Sequence, residues 1–318
     1  MHTWNASHIY HHSFLLTGIP GMPKKNPWMA FPLGLLYTLT LLGNGTILSI
    51  IKLDSSLHEP MYYFLSILAL TDMGLSMSTL PFMLSIFWFN SPEIPFDACI
   101  TQMFFIHGFG VVESGVLVSM AFDRFVAIRD PLRYASILTS GVIGKIGIGV
   151  AVLARAVCVV FPVPFLIKRL PFCRSNVLSH SYCLHQDIMR LACASTRVNS
   201  LYGLIVVILT LGLDVLIILF SYVLILKTVL GIASWAERLK AFNTCFSHIC
   251  ALLLLYIPFI GATMIHRFGK HLSPIIHTVM ANVYLLLPPV LNPIIYSIKT
   301  KQIRKRIVQI FFRRKVRT

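Results

Sequence analysis

The chain has 318 residues, of which 56% are hydrophobic and only 12% are charged, and its mean hydropathy is +0.78. This composition is too apolar and too poor in charge for a soluble globular protein. The formal net charge is +16, but in a membrane protein lysine and arginine mark the side on which a loop lies. The charge therefore indicates membrane topology and not nucleic-acid binding.

Seven apolar segments are each long enough to cross the hydrocarbon core of a bilayer, which is about 30 Å thick. The connections between them are mostly short, so we expect one all-α membrane bundle spanning residues 27–299. The segments are Pro27–Ile51, Met61–Phe89, Ile100–Ile128, Val142–Ile167, Ser200–Leu226, Lys240–Ile265 and Pro274–Ile298.

The two ends of the chain predict its orientation. Residues 1–26 are polar, predict no cleavable signal peptide and carry a glycosylation sequon at Asn5. Residues 300–318 alternate basic and apolar positions at helical spacing, which predicts a short amphipathic eighth helix lying on membrane lipid. Lysine and arginine are more frequent on the side of this tail, so we expect an extracellular N-terminus and a cytoplasmic C-terminus.

Several charged or amide side chains fall inside the apolar segments, where such groups are costly and usually functional. Asp72, Glu113 and Asn292 could together hold a sodium ion or share a proton. Alternatively, the carboxyl groups are simply protonated and hydrogen-bonded. Arg155 and Asp214 lie near the middle of the fourth and fifth segments, and we expect them to form an ion pair.

The third apolar segment ends in an adjacent acid and base, Asp123 and Arg124. Charges at the edge of a membrane must satisfy each other or reach polar headgroups. One interpretation is a salt bridge that simply ends the helix. The other is a switch, in which the arginine is restrained in one state and released to a cytoplasmic partner in another.

The longest connection covers about residues 168–199, and connections of this length are usually functional. Together with Cys99, which directly precedes the third segment, it supplies four cysteines on the outer side. These suggest two disulfides, for which three pairings are possible. His180, Cys183 and His185 have irregular spacing, so we predict no metal site there.

His107 lies 17 residues before Arg124, which is about 25 Å along a helix. This distance places it in the outer third of the membrane. Gly110 and Val111 follow on the same helical face. From these residues alone, His107 is either a packed side chain or a contact for a ligand.

The order and spacing of several stretches resemble the odorant receptors, a branch of the class A G-protein-coupled receptors. The stretches are residues 57–65, 120–128, 221–222, 240–248 and 292–296. Residues 171–173, 185–187 and 266–269 further resemble the fish-like class I subgroup of these receptors. The resemblance covers essentially the whole chain.

The resemblance implies roles at the cytoplasmic side. Arg124 would engage a G protein once the helices open, and Asp123 would restrain it at rest. Tyr222 and Tyr296 would support the active arrangement, while Lys240 lies in the part of the sixth segment that moves. The sequence departs from the usual pattern at Phe125, Arg129 and Asn243, and Tyr256 is the nearest residue to the usual tryptophan switch.

The resemblance also implies roles within and outside the membrane. It matches the three intramembrane polar residues to the cation site of the family. We expect no cofactor other than a sodium ion that this site could hold. It pairs the outer cysteines as Cys99–Cys183 and Cys173–Cys193. Class I receptors tend to recognise polar ligands, often short carboxylic acids, and Arg267 would bind the anion. The residues implied to line the pocket with it are His107, Gly110, Val111, His185, Gln186 and Thr263.

The function implied by this resemblance is that of an odorant receptor and not of an enzyme. A small odorant would bind in a transmembrane pocket and activate a stimulatory olfactory heterotrimeric G protein, which raises cyclic AMP. The receptor would lie in the plasma membrane, in the cilia of olfactory sensory neurons. The alternatives are an ectopic receptor for an endogenous metabolite and, more remotely, a secondary transporter, although no internal repeat is visible.

Overall fold

The structure is a computed structural model that describes residues 12–18, 27–130, 142–173, 175–269 and 271–313. The side chains of residues 142–148, 244, 266–268, 274 and 311–313 lie outside this description, as does the predicted glycosylation site at Asn5.

Helices account for most of the described residues. They are α1 Ala30–Leu53, α2 Pro60–Phe89, α3 Phe96–Arg129, α4 Val142–Val160, α5 Pro162–Lys168, α6 His185–Arg190, α7 Arg197–Val207, α8 Leu213–Leu230, α9 Trp235–Phe268, α10 Pro274–Lys299 and α11 Lys301–Arg313. A π-helical segment, Ile208–Gly212, joins α7 to α8. Short 3-10 helices cover Pro27–Met29 and Ser55–Leu57.

Within the described residues, seven helical segments are long and apolar enough to cross a membrane. The predicted all-α, seven-helix architecture is therefore confirmed. Several segments extend beyond the predicted bounds, as α3 does by starting at Phe96 and α9 by starting at Trp235. The reason is that backbone hydrogen bonding continues into polar residues past the apolar run.

The helix α3 is the central helix of the bundle, packing against α2, α4, α8 and α9. Its inward face is apolar along most of its length, with Val116, Leu117 and Met120 each about 1% exposed. Burial of such side chains contributes about 1.5–3 kcal/mol each. Polar groups placed on α3 consequently meet partners from several other helices.

A small sheet, absent from the sequence-based expectations, closes one end of the bundle. Strand β1 (Ser13–Leu16) lies between β2 (Glu93–Pro95), to which it is antiparallel, and β3 (Val177–Leu178), to which it is parallel. Phe14 in β1 is fully buried and packs against the rings of Phe96 and Phe172. We call this end of the bundle the sheet end and the opposite end, where α3 finishes, the arginine end.

Two disulfides fix the long connection at the sheet end. Cys99 at the start of α3 is joined to Cys183, and Cys173 is joined to Cys193. This is the pairing that the resemblance implies. The connection is therefore tied to α3 and folded back on itself over the bundle.

The helix α11 is docked at the arginine end. Ile303 is fully buried, whereas Lys301, Arg304 and Lys305 are exposed, as in an amphipathic helix. Arg306 forms an ion pair with Asp54 in the connection between α1 and α2. Hydrogen bonds from Arg306 and Ser56 lower the pKa of Asp54 to about 2. This contact is therefore present above the ordinary carboxyl pKa and is lost only as the pH falls through about 2.

Candidate ligand cavity and intramembrane polar sites

A cavity of about 540 Å³ lies between the helices beneath the long connection. Its volume is within the range of small-molecule binding sites. Its walls come from α3, α4, α5, α7, α9 and α10, and its roof comes from residues 180–189. Six of the seven residues implied for the ligand pocket line it, namely His107, Gly110, Val111, His185, Gln186 and Thr263.

The seventh residue, Arg267, lies in the last turn of α9. Its side chain is outside the described part of the chain. Its role as an anion-binding group therefore stays a prediction.

Two histidines form a polar corner of the cavity. The rings of His107 and His185 stand nearly perpendicular, with centroids 6.5 Å apart. The Nε2 atom of His107 is buried, and the described residues offer it no hydrogen-bond partner. An unpaired buried nitrogen of this kind is available to a ligand or a water molecule.

The roof of the cavity is held by polar groups that the sequence analysis did not single out. The side-chain oxygen of Gln102 accepts a hydrogen bond from the Cys183 backbone at 2.8 Å, and its amide donates to the Ser78 carbonyl at 2.8 Å. Gln102 thus connects α2, α3 and the roof. Its position beside Cys99 on the same helix is the only signal in the sequence that could have suggested this role.

The carboxylate of Asp187 also fixes the roof. It accepts hydrogen bonds from the Ser179 backbone at 2.6 Å and from Nδ1 of His180 at 3.1 Å. Burial alone would raise the pKa of Asp187, but the hydrogen bond and the charge of His180 hold it below the ordinary value. The carboxylate therefore stays ionised and keeps the roof anchored until the pH falls below the ordinary carboxyl range.

A buried polar network lies directly beneath the cavity. Asp214 in α8 accepts hydrogen bonds from Arg155 in α4 at 2.7 Å and from Ser114 in α3 at 2.5 Å. The Ser114 hydroxyl is also 2.8 Å from the hydroxyl of Tyr256 in α9. The predicted ion pair of Arg155 and Asp214 is confirmed, and the network joins four helices. Because Ser114 also lines the cavity, it connects the cavity to the network.

The three predicted intramembrane polar residues come together between α2, α3 and α10. The Nδ2 atom of Asn292 lies 3.3 and 3.2 Å from the two carboxylate oxygens of Asp72. Glu113 interacts electrostatically with Asp72, and all three side chains are buried. The Oδ1 atom of Asn292 has no hydrogen-bond partner in the described ranges. The oxygen-rich donor set fits a hard monovalent cation or a shared proton.

The predicted switch residues lie at the arginine end. Nε of Arg124 is 4.0 Å from the carboxylate of Asp123, and both side chains are buried. Tyr296 in α10 donates a long hydrogen bond to the sulfur of Met120, at 3.9 Å. Lys240 is exposed near the start of α9.

A histidine for which the sequence predicted no individual role connects the helices at this site. The hydroxyl of Tyr222 in α8 is 2.8 Å from Nδ1 of His248 in α9. The other ring nitrogen of His248 is 3.0 Å from the carbonyl of Leu117 in α3. His248 therefore connects α3, α8 and α9 close to Arg124.

The fold defines the class of the protein. The structure is similar to the crystal structure of squid rhodopsin, with a TM-score of 0.70 and 18% sequence identity, covering 95% of this chain and 91% of that chain. At this identity the likeness shows the fold alone, which is that of a rhodopsin-like seven-helix membrane protein.

The sequence comparisons define the family. A family model described as olfactory receptor matches residues 33–314. Human olfactory receptor 51H1 is 76% identical over 300 residues, which cover 94% of this chain and 99% of the relative. Human olfactory receptor 51G2 is 58% identical, covering 96% of this chain and 97% of the relative. The chain therefore belongs to the olfactory receptor family, whose members are multi-pass plasma-membrane receptors coupled to G proteins and not enzymes.

The network beneath the cavity generates a stability prediction. In the variant Arg155→Leu, the Asp214 carboxylate stays buried without its charged partner, which should cost about 3 kcal/mol. The melting temperature of the purified receptor in detergent should fall by several degrees. The double variant Arg155→Leu with Asp214→Leu removes both charges and should recover at least half of that loss. A double variant that is less stable than Arg155→Leu would contradict this account of the pair.

Proposed function

We propose that the chain is an odorant receptor that binds a small polar molecule, carboxylic-acid-like in character, in the cavity beneath the long connection. The bound receptor activates a stimulatory olfactory G protein and so raises cyclic AMP. The observation that supports this proposal best is the position of Ser114, which lines the cavity and donates to the buried Asp214 network. A ligand at this site can therefore act on α9.

The preference for an acid rests on Arg267 and the histidine corner. Arg267 follows Thr263 by four residues in α9, a spacing that puts the two positions on one helical face. Thr263 lines the cavity. A guanidinium group binds a carboxylate through two parallel hydrogen bonds, and the buried nitrogen of His107 offers a further polar contact.

Activation is a shift between two populations of the bundle, and its size is limited by the difference in ligand affinity between them. A ligand that contacts α3 and α9 alters the bond between Ser114 and Tyr256. Outward movement of α9 then separates His248 from Tyr222 and Leu117. The G protein gains access to Arg124, which Asp123 no longer restrains, while Lys240 moves with α9.

The proposed orientation places the sheet end outside the cell. Both disulfides are at this end, and disulfides persist in oxidising compartments. The positively charged helix α11 is at the arginine end, which agrees with a cytoplasmic side facing anionic lipid. Residues 1–26 with glycosylated Asn5 would be extracellular, and residues 300–318 cytoplasmic. In an olfactory sensory neuron, the receptor would reside in the cilia.

We also propose that Asp72, Glu113 and Asn292 hold a sodium ion or share a proton in the resting state. Either occupant stabilises a pair of buried carboxyl groups that could not both be charged without a cation. No other cofactor is proposed.

The acid preference is tested by cyclic AMP output in cells that express the receptor with the olfactory G protein. A panel of aliphatic acids, alcohols and aldehydes should include acids that elicit a response. Arg267→Ala should raise the half-maximal acid concentration about tenfold or more, because a charge-assisted hydrogen bond is lost. The exposed Arg169 at the same end provides a matched control, and Arg169→Ala should respond as the unmodified receptor does. An unchanged acid response in Arg267→Ala at equal surface staining would refute the anion-binding role.

The cation site is tested by the thermal stability of the purified receptor in sodium chloride and in N-methylglucamine chloride of equal ionic strength. A ligand that binds only the folded state raises the melting temperature, so sodium should raise it. Asp72→Asn should abolish the difference. A melting temperature that depends on pH but not on sodium would indicate that the site holds a shared proton and not a cation.

A further inference from the structure

A second buried polar atom in the cavity wall lacks a partner. The hydroxyl of Tyr182 is fully buried, and no hydrogen-bond partner for it is found in the part of the chain that the structure describes. Tyr182 lines the same cavity as His107, whose Nε2 atom is likewise buried without a hydrogen-bond partner among the described residues. Leaving a buried polar group unpaired costs free energy, which a suitably placed ligand group can recover.

The two unpaired atoms have different neighbours in the cavity wall. His107 contacts His185. The ring of His185 in turn lies against Gly203 of α7, where an added Cβ atom would be 3.7 Å from it. Tyr182 instead packs in an apolar cluster with Leu75 of α2 and Ala281 of α10. The histidine corner therefore adjoins α7, and the Tyr182 corner adjoins α2 and α10.

A second tyrosine hydroxyl strengthens the Tyr182 corner. Tyr284 of α10 lines the same cavity and packs against the apolar cluster that contains Tyr182. Its ring is held edge-on by Phe259, with centroids 5.0 Å apart. Its hydroxyl lies so close to α3 that a side chain at Gly110 would approach it to 2.6 Å. The absence of a side chain at Gly110 is thus what leaves room for this hydroxyl.

The tyrosine corner offers hydrogen bonding without charge. Burial raises the pKa of Tyr182 well above its ordinary value, so the hydroxyl keeps its proton and can both donate and accept. The whole cavity has a volume of about 540 Å³, which is typical of sites for drug-sized ligands. It has room for a molecule that reaches both corners.

We infer that the cavity selects a bifunctional ligand, an elongated aliphatic molecule with one polar group at the histidine corner and a second, hydroxyl-like group at the tyrosine corner. This inference rests on the proposed function and refines its ligand class. Tyr182 and Tyr284 are then specificity-determining residues that the sequence analysis did not identify.

Whether the receptor prefers ligands that end in a hydroxyl or in a methyl group distinguishes this arrangement from an apolar wall. A hydroxyl placed against an apolar wall loses its hydrogen bonds to water and weakens binding. A hydroxyl that meets Tyr182 or Tyr284 keeps its hydrogen bonding, and at Tyr182 it also gives a buried, unpaired hydroxyl a partner. Exchanging a terminal methyl group of the ligand for a hydroxyl therefore weakens binding to an apolar wall but strengthens binding to the tyrosine corner.

The experiment compares pairs of molecules that have equal numbers of heavy atoms. One pair is decanoic acid and ω-hydroxynonanoic acid. The other pair is nonanol and α,ω-octanediol. Shorter members of each series are also tested. In the cyclic AMP assay, the hydroxyl-ended member should have a half-maximal concentration about fivefold lower, as expected for one recovered hydrogen bond. Tyr182→Phe and Tyr284→Phe should each reverse or abolish this preference.

A matched control comes from a tyrosine outside the cavity lining. The hydroxyl of Tyr202 already donates to the Val159 carbonyl at 2.8 Å, so Tyr202→Phe should leave the ratio between pair members unchanged. Surface staining is compared for every variant. A preference for the methyl-ended members at every chain length, with the same ratio in Tyr182→Phe, would overturn the inference.

A second readout separates this inference from the proposed function. The same pairs are tested for their effect on the melting temperature of the purified receptor, which requires no G protein. If cyclic AMP is silent but the hydroxyl-ended members stabilise the receptor more, the inference stands and the coupling proposal fails. Equal stabilisation by both members, or none by either, would overturn the inference even if other odorants elicit cyclic AMP.

Discussion

The buried carboxylate of Asp214 is the constraint on which the interior of this bundle depends. A carboxylate in the middle of an apolar helix must be neutralised and hydrogen-bonded, and here its two partners come from two other helices, one of which reaches a third. Arg155 supplies the charge, while Ser114 supplies a hydroxyl that also reaches Tyr256. Because an imperfect arrangement would leave a charge unpaired, the network restricts how α3, α4, α8 and α9 can move relative to one another. We propose that a change at Ser114 is transmitted to α9 through this network.

The sheet end provides a second, independent constraint. There the two disulfides, the double hydrogen bond of Gln102 and the anchored carboxylate of Asp187 hold the roof of the cavity. The roof brings His185 and Tyr182 to the cavity, whereas the helices below provide mainly apolar walls. This difference between roof and walls follows from the chemistry of the two regions. An irregular segment is stable here only where its backbone N–H and C=O groups are hydrogen-bonded, and the roof meets this condition.

Much of the fold was accessible from the sequence because membrane helices must be long, apolar and internally hydrogen-bonded. The pair of Arg155 and Asp214 was accessible for a related reason, since two opposite charges in neighbouring apolar segments have few other ways to be satisfied. The sheet was not accessible, because Ser13–Leu16 is a short segment whose pairing partners lie far away in the chain. Periodicity placed Gly110 and Val111 on the helical face of His107, but the set of six cavity residues came from a family resemblance.

The residues that sequence reasoning missed share one property, namely that their roles depend on distances between helices. His248 has an ordinary helical environment in the sequence, and only the fold brings it to Tyr222 and Leu117. Tyr284 likewise looks like a packed aromatic residue of α10. Tyr182 carried a weak signal, because the disulfide at Cys183 fixes its neighbour at the mouth of the bundle.

The central claim is that a ligand in the cavity moves α9 through the network at Asp214. The most direct measurement is the distance between spin labels at Leu53 in α1 and Leu239 in α9, which are both exposed at the arginine end, with the three free cysteines replaced by serine. An odorant acid that raises cyclic AMP should add a longer-distance population, and Tyr256→Phe should suppress it. An unchanged distance distribution with saturating acid, in a receptor that still signals, would contradict the account.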